Sequence, residues 1–163
     1  MVFFGKKKNA SKNAETLDPY VQDRERFALI FSSLVEKKLD PVAQLTGFLL
    51  SNDPTYLPTL NGARQIAQEW EASEMMTFIL SQITAEGQWK QLPESKEKKA
   101  LTEMIRVLQE KGWKAVEQIG AFLAYDDDSY LPFQAKSVMH QTEGREAMCL
   151  FILRSYRDLF LRS

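Results

Sequence analysis

The chain carries one residue pattern twice. Residues 34–80 align with residues 108–154 without a gap, at a constant offset of 74 positions. The identical pairs include Leu34/Leu108, Glu36/Glu110, Gln44/Gln118, Phe48/Phe122, Asp53/Asp127 and a shared Tyr-Leu-Pro at 56–58 and 130–132. A self-match at fixed spacing constrains architecture more than local propensity does. Because there are only two copies, the pattern predicts a two-lobed or pseudo-twofold globule rather than a solenoid.

The size of each copy indicates that the two copies pack together. The chain has 163 residues, and a unit of about 75 residues is marginal for an independent hydrophobic core. We therefore expect an intramolecular pseudo-dimer with a shared apolar core. Such a chain would be a monomer, since its partner surface is already occupied within the chain.

Composition narrows the class of protein. Hydrophobic residues make up 44% and charged residues 26% of the chain, and the formal net charge is −1. These values are typical of a globular protein and do not favour nucleic acid or an anionic membrane as a partner. The single cysteine, Cys149, excludes an intrachain disulfide and favours a reducing compartment. No apolar run approaches the roughly 20 residues of a membrane span, and the lysines of Met1–Lys8 follow the apolar residues, unlike a secretory signal. The expected location is cytoplasmic, with no stable membrane insertion.

Hydrophobic periodicity predicts an all-α protein. Apolar residues recur at helical spacing in most segments, as at Phe27, Ile30 and Leu34, and no long stretch alternates with period two. Asp40-Pro41 is typical of a helix start, and Pro58 is expected to begin another helix. The predicted organisation is a flexible tail (1–22), a first helical unit (23–83), a connector (84–95) and a second unit (96–163).

The segment LDPVAQLTGFLLSNDPTYLPTLNGAR resembles the IreB family of small regulatory phosphoproteins from Gram-positive bacteria. The positions that carry the resemblance are Pro41, Gln44, Gly47, Leu50, Ser51, Asp53, Pro54, Tyr56, Pro58, Asn61, Ala63 and Arg64. Upstream, Leu34, Glu36 and Lys37 also fit the family pattern. The second copy keeps Gln118, Asp127, Tyr130 and Pro132, but it has Ala115, Asp128 and Val138 where the first copy has Pro41, Pro54 and Arg64. The chain thus resembles a tandem form of the family with one degenerate unit.

The resemblance implies a function and a mode of regulation. Family members are all-helical homodimers of single units, and they are substrates of a membrane-bound Ser/Thr kinase with extracellular peptidoglycan-sensing modules. They act as negative regulators in cell-envelope stress and β-lactam tolerance. Their phosphoacceptors are threonines of the N-terminal tail, which here contains Thr16 and Ser11. The resemblance favours Thr16 over Ser11, and Arg24 and Arg26 are candidates to bind its phosphate.

Three motif positions leave alternatives open. The segment Asp53–Pro58 is either a recognition loop for a partner or a rigid linker, and its recurrence in the second copy favours the linker. Gln44 and Gln118 lie on mainly apolar helices, so they are expected to bridge helices or to pair across the pseudo-dimer. Arg64 either contacts a ligand or partner, pairs with a carboxylate such as Asp53, or closes a helix end.

No set of residues points to catalysis, a metal or a cofactor. The run Asp126–Asp128 lacks the alternating spacing of a calcium loop and is interpreted as a solvated turn. His140 has no neighbouring nucleophile motif, and Cys149 lies in an apolar helical run as a buried side chain. We therefore expect a non-enzymatic regulator that acts by protein–protein interaction. The alternatives are a helix-turn-helix-like nucleic-acid-binding regulator, which the charge balance disfavours, and a small-molecule enzyme, which lacks a catalytic set.

Overall fold

The computed structural model describes residues 18–161, which form eight α-helices and contain no strand. The helices are α1 (Val21–Glu36), α2 (Pro41–Ser51), α3 (Ala63–Glu69), α4 (Ala72–Ile83), α5 (Lys96–Glu110), α6 (Ala115–Tyr125), α7 (Phe133–His140) and α8 (Arg145–Tyr156). The predicted all-α class is confirmed. Among the helices of residues 18–161, none is both long and apolar enough to cross a bilayer.

Short turns of other helix types separate the α-helices. In the described part of the chain, four 3-10 turns lie at Pro54–Tyr56, Leu60–Gly62, Trp89–Gln91 and Asp128–Tyr130, and a π-helical turn, Arg157–Leu161, follows α8. Two boundaries differ from the sequence-based prediction. Helix α1 begins at Val21, inside the predicted tail. Helix α3 begins at Ala63 rather than at Pro58, because Asn61 and Gly62 have left-handed φ values of 58° and 72° and keep the preceding turn out of the helix.

Side-chain caps fix the starts of α2 and α5. The Asp40 carboxylate accepts hydrogen bonds from the Val42 and Ala43 amides, while Pro41 occupies the first helical position, where no amide partner is needed. Ser95 accepts from the Lys98 amide at the start of α5. These caps place both helices where the sequence predicts them.

The two halves of the chain contact each other through equivalent helices. We call α1–α4 the first unit and α5–α8 the second unit. Helix α4 packs on α6, and α2 packs on α8; an offset of 74 converts each of these contacts into the other. Helix α4 also contacts α8, and α2 contacts α6. This pairing is what a pseudo-twofold arrangement requires, although the symmetry relation itself stays a prediction.

A cluster of aromatic side chains joins the two units in the core. Tyr156 from α8 lies edge-on to Phe27 of α1 with ring centroids 4.9 Å apart, and 5.6 Å from the ring of Phe78 in α4. All three are nearly inaccessible to solvent. Burial raises the pKa of the Tyr156 phenol to about 12. Because the cluster takes rings from both units, the first unit does not complete its core alone.

Gly120 allows α6 to approach α4 closely. A Cβ at this position would lie 2.7 Å from Thr77 Oγ1 and 3.2 Å from the Thr77 backbone nitrogen. The nitrogen belongs to the helix backbone and has little freedom to move. A side chain at position 120 would therefore force the Thr77 hydroxyl to move and the α4 backbone to shift by a few tenths of an ångström.

Arg145 connects the C-terminal ends of two helices from different units. Its Nε donates to Leu123 O at 2.7 Å, and one terminal nitrogen donates to Leu50 O at 3.0 Å and Ala124 O at 3.3 Å. Leu50 and Ala124 are equivalent positions in α2 and α6. Carbonyls at a helix C-terminus carry partial negative charge, so a guanidinium there is stabilising.

The connector is fixed on the second unit. Lys98, which is 6% exposed, donates to Leu92 O at 2.7 Å and to Glu94 Oε2 at 3.1 Å. Trp89 donates its indole N–H to Thr102 Oγ1 at 3.2 Å. The predicted connector therefore includes an ordered turn that packs against α5.

Candidate functional site

The motif residues of the first unit meet where α2, the turn Pro54–Tyr56 and the start of α3 come together. Gln44 Nε2 donates to Tyr56 O at 2.8 Å, which fastens the turn to α2. The Asp53 carboxylate accepts from the Thr55 amide at 3.0 Å and from the Thr55 hydroxyl at 2.7 Å. These two bonds hold the pKa of Asp53 below its ordinary value. The turn is thus rigid, and its backbone is held by side chains of the motif itself.

The Tyr56 ring covers Gly47. A Cβ at position 47 would lie 2.4 to 2.7 Å from three ring carbons of Tyr56. The tyrosine is still 39% exposed. The motif therefore uses a glycine on α2 as the floor for an aromatic side chain that stays accessible on the surface.

The remaining motif residues tie the start of α3 to its neighbours. Asn61 Nδ2 donates to Ser33 Oγ at 3.1 Å and to Glu36 Oε1 at 3.2 Å, both on α1. Arg64 Nε donates to Leu57 O at 2.8 Å. Arg64 thus holds the loop carbonyl, rather than pairing directly with Asp53 or closing a helix end. Pro58 is buried between these contacts.

The second unit repeats the turn with a different surface. Gln118 Nε2 donates to Tyr130 O at 2.9 Å, and the Asp127 carboxylate accepts from the Ser129 amide at 2.9 Å. Each glutamine therefore bonds within its own unit, so of the two alternatives the pairing of the glutamines across the pseudo-dimer is not the one observed. Tyr130 packs on Tyr125, with ring centroids 5.9 Å apart. Pro132 directly precedes α7.

The titratable side chains with candidate chemistry lie apart. Cys149 is buried, and burial raises the pKa of its thiol to about 12, so the nucleophilic thiolate is not formed at neutral pH. His140 is exposed at the end of α7. Asp126 caps α6 in a left-handed conformation and lies 3.9 Å from Arg145. Within residues 18–161, no three His, Cys, Asp or Glu side chains are placed to hold a metal ion.

A cleft between α1, α4 and α6 was not predicted from the sequence. It has a volume of about 470 Å³, and it is lined by Tyr20, Asp23, Arg26, Trp70, Ser73, Glu74, Thr77, Phe78, Glu117 and Ala121. Aromatic side chains form its base, since Tyr20 and Phe78 pack with centroids 5.7 Å apart and Trp70 lies 5.6 Å from Phe78. Because Trp70 and Phe78 are only 5% and 1% exposed, most of the accessible aromatic surface belongs to Tyr20. The apolar spacing of α4 predicts Phe78 as a core residue, but it does not show that α6 of the other unit forms the opposite wall.

Basic side chains near the start of α1 are already paired. Arg24 bonds the Asp18 carboxylate and, at 3.3 Å, Gln82 Oε1. Arg26 bonds Asp23 at 3.1 Å, and its guanidinium carbon lies 5.8 Å from the centre of the Trp70 ring. Thr16 and Ser11, the predicted phosphoacceptors, lie outside the described residues.

Comparison with known proteins finds a family to which the first unit is similar. Residues 9–85 match the model of the IreB regulatory phosphoprotein family. No solved structure matches the chain. The matched segment contains all four helices of the first unit, the complete motif from Pro41 to Arg64, and also Ser11 and Thr16. Residues 9–85 of the chain are therefore similar to the IreB family of regulatory phosphoproteins, and the match ends before the second unit.

Proposed function

We propose that this chain is a cytoplasmic regulator that acts by binding other proteins and is switched by a Ser/Thr kinase. The observation that carries the proposal is the family match, because it spans the rigid motif surface as well as Ser11 and Thr16. The kinase is proposed to be membrane-bound with peptidoglycan-sensing modules, and the regulated process to be cell-envelope stress or antibiotic tolerance. Thr16 is the proposed phosphoacceptor, ahead of Ser11.

The rigid turn of the first unit supports partner binding. Gln44 bonds the Tyr56 carbonyl and Thr55 bonds the Asp53 carboxylate, so the backbone that carries the Tyr56 ring is held in one conformation. A surface that is already ordered loses less conformational entropy on binding than a mobile loop does. Tyrosine is also enriched among the residues that dominate binding energy at interfaces.

Charge at the start of α1 supports a phosphate-dependent switch. A phosphothreonine carries a charge of about −1.5 to −2 at neutral pH and bonds arginine more strongly than a carboxylate does. Thr16 lies two residues before Asp18, whose carboxylate forms an ion pair with the Arg24 guanidinium. We expect the phosphate to displace Asp18 from Arg24 and so to change the surface at the beginning of α1.

Phosphate mapping tests this proposal. The full chain is incubated with a peptidoglycan-sensing Ser/Thr kinase and ATP, and the modified residues are identified by mass spectrometry. We expect phosphate on Thr16, its loss in Thr16→Ala, and normal modification in Thr55→Ala, which removes an exposed threonine of the folded unit. Phosphate confined to residues 18–161 would contradict the proposed switch.

The alternative of nucleic-acid binding is not favoured by the arrangement of basic side chains. Several are paired with carboxylates: Arg106 with Glu103 and Glu110, Lys96 with Glu143, and Arg24 with Asp18. Binding to a phosphate backbone requires cations that are available to replace counterions. Titration with random duplex DNA at physiological salt is expected to show no binding at micromolar protein.

A further inference from the structure

The cleft between α1, α4 and α6 has an aromatic base and is bordered by carboxylates. Asp23 lies at its α1 edge, Glu74 on α4 and Glu117 on α6. Among residues 18–161, Asp23 has Arg26 as its ion-pair partner, whereas Glu74 and Glu117 form no ion pair. Burial raises the pKa of Asp23 despite the opposing effect of Arg26 at 3.1 Å, so the single arginine does not fully compensate its carboxylate. A cationic segment with aromatic side chains would match both the base and the rim.

The same chain contains such a segment, and it joins the folded part beside the cleft. Residues 3–8 read Phe-Phe-Gly-Lys-Lys-Lys. Residues 1–17 hold four lysines and one glutamate, a charge of +3, and since the whole chain has −1, the remainder carries −4. Tyr20, two residues after the first described residue, is itself part of the cleft wall. The described part of the chain thus begins beside this cleft and is opposite in net charge to residues 1–17.

We propose that the Phe3–Lys8 segment docks into the cleft in cis, with its lysines against Glu74, Glu117 and Asp23 and its phenylalanines against the aromatic base. Nine residues lie between Lys8 and Asp18, and a flexible chain of ten Cα–Cα steps spans roughly 16–19 Å on average. Tethering over such a distance gives an effective concentration on the order of millimolar. Surface lysine–carboxylate contacts are individually weak, so the docked state also depends on burial of the two phenylalanine rings. The cleft is thereby an interaction surface for a short aromatic and lysine-rich peptide, independently of any phosphorylation.

A spin label on the segment tests this in the full chain. Ala10→Cys introduces a labelling site, and Cys149 stays unmodified because it is buried and its thiol pKa is raised to about 12. Paramagnetic broadening of amide signals is measured at low ionic strength against the reduced label. We expect loss of signal at Ser73, Thr77 and Ala121, which line the cleft. The loss should disappear in roughly 1 M salt, where the Debye length is about 3 Å.

Charge variants identify the contacts. Lys6→Gln/Lys7→Gln/Lys8→Gln and, separately, Glu74→Gln/Glu117→Gln should both restore the signals. Lys37→Gln/Lys99→Gln/Lys111→Gln removes the same number of positive charges from exposed helix ends and faces and should leave the broadening unchanged. A mixed sample separates docking within a chain from docking between chains. It contains chains that carry the spin label but no ¹⁵N, together with ¹⁵N-enriched chains that carry no spin label. Docking in cis should give no broadening in this sample.

Four results would overturn the proposal. They are unaffected amides around the cleft, broadening spread evenly over the surface, broadening that persists in the triple-lysine variant, and broadening in the mixed sample. The last result would identify a second copy of the chain as the occupant.

Discussion

The Tyr56 ring lies against the α-carbon of Gly47, so close that a methyl group on that carbon would lie 2.4 to 2.7 Å from the ring. This contact packs the exposed tyrosine of the motif loop directly on the backbone of α2. It also makes the effect of a single methyl group depend on what stands at position 56.

Gly47→Ala should destabilise the chain although alanine is the better helix former. The added methyl must displace the Tyr56 ring, and overpacking of this kind costs about 1–3 kcal/mol. In a Tyr56→Ala background the same substitution should stabilise, by up to about 1 kcal/mol from helix propensity. Urea unfolding of the four chains of this double-mutant cycle measures both values. An equal effect of Gly47→Ala in the two backgrounds would show that the ring is not the obstacle.

The two glutamine side chains should contribute similarly to stability. Gln44→Ala and Gln118→Ala each remove one bond to a tyrosine carbonyl, and we expect a loss of about 1 kcal/mol in the free energy of unfolding for each. Gln44→Glu should cost more at neutral pH, since an ionised carboxylate cannot donate to the Tyr56 carbonyl. Denaturant unfolding measures these losses, and Gln68→Ala, at an exposed position of α3, is the control expected to be near neutral.

Arg145→Lys should destabilise the chain despite the retained charge. Lysine cannot reproduce the guanidinium bonds to Leu50, Leu123 and Ala124 at once. We expect a loss of about 1.5–3 kcal/mol, the usual value for hydrogen bonds to charged groups. Arg106→Lys, on the exposed face of α5, should have a smaller effect because its partners are surface carboxylates. Equal losses in thermal or urea unfolding would contradict a special role of Arg145.

Stability should fall in acid through the two turn aspartates. The hydroxyl and amide of Thr55 lower the pKa of Asp53, and bonds to Ser129, the backbone amide foremost, lower that of Asp127. A carboxyl whose pKa is depressed on folding stabilises above its unfolded-state value, and this contribution is lost as the pH falls through the folded-state pKa. The urea midpoint should therefore decline below about pH 4. The double variant Asp53→Asn/Asp127→Asn keeps an acceptor oxygen at each turn, and its urea midpoint should decline less steeply with falling pH. The same pH profile in the variant and the parent chain would show that the two turn aspartates do not cause the acid destabilisation.

The full chain should be a monomer in solution. Helices α4 and α6, like α2 and α8, already cover each other, and Tyr156 completes an aromatic cluster with Phe27 and Phe78. Sedimentation at several micromolar concentrations should give one species of monomer mass. A mass that doubles with concentration would contradict this prediction, and it would show that the chain self-associates through a surface other than the one buried between its two units.

Much of the fold follows from local signals. The Asp40-Pro41 pair fixes the start of α2, and the fixed offset between the copies predicts α6 at Ala115–Tyr125 from α2. The start of α3 was placed too early because the left-handed conformation of Asn61 depends on its bonds to Ser33 and Glu36 of α1. Contacts between distant residues, such as Arg145 with Leu50, have no periodicity from which they can be predicted.

The sequence singles out the motif residues but not their geometry. Their recurrence and the family resemblance identify the motif residues. The partners of the glutamine hydrogen bonds and the position of the Tyr56 ring over Gly47 depend on three-dimensional packing, which the sequence pattern does not contain. The cleft was missed for the same reason, since Trp70 and Glu117 belong to different units.

The difference between Gly47 and its counterpart Ala121 shows what joining two similar units in one chain permits. In a homodimer of single units, any replacement appears on both faces of the assembly. Here Ala121 lines the cleft while Gly47 supports a tyrosine, and the equivalent Tyr130 packs on Tyr125 instead. The two equivalent positions can accordingly carry different surfaces, which two identical subunits cannot do.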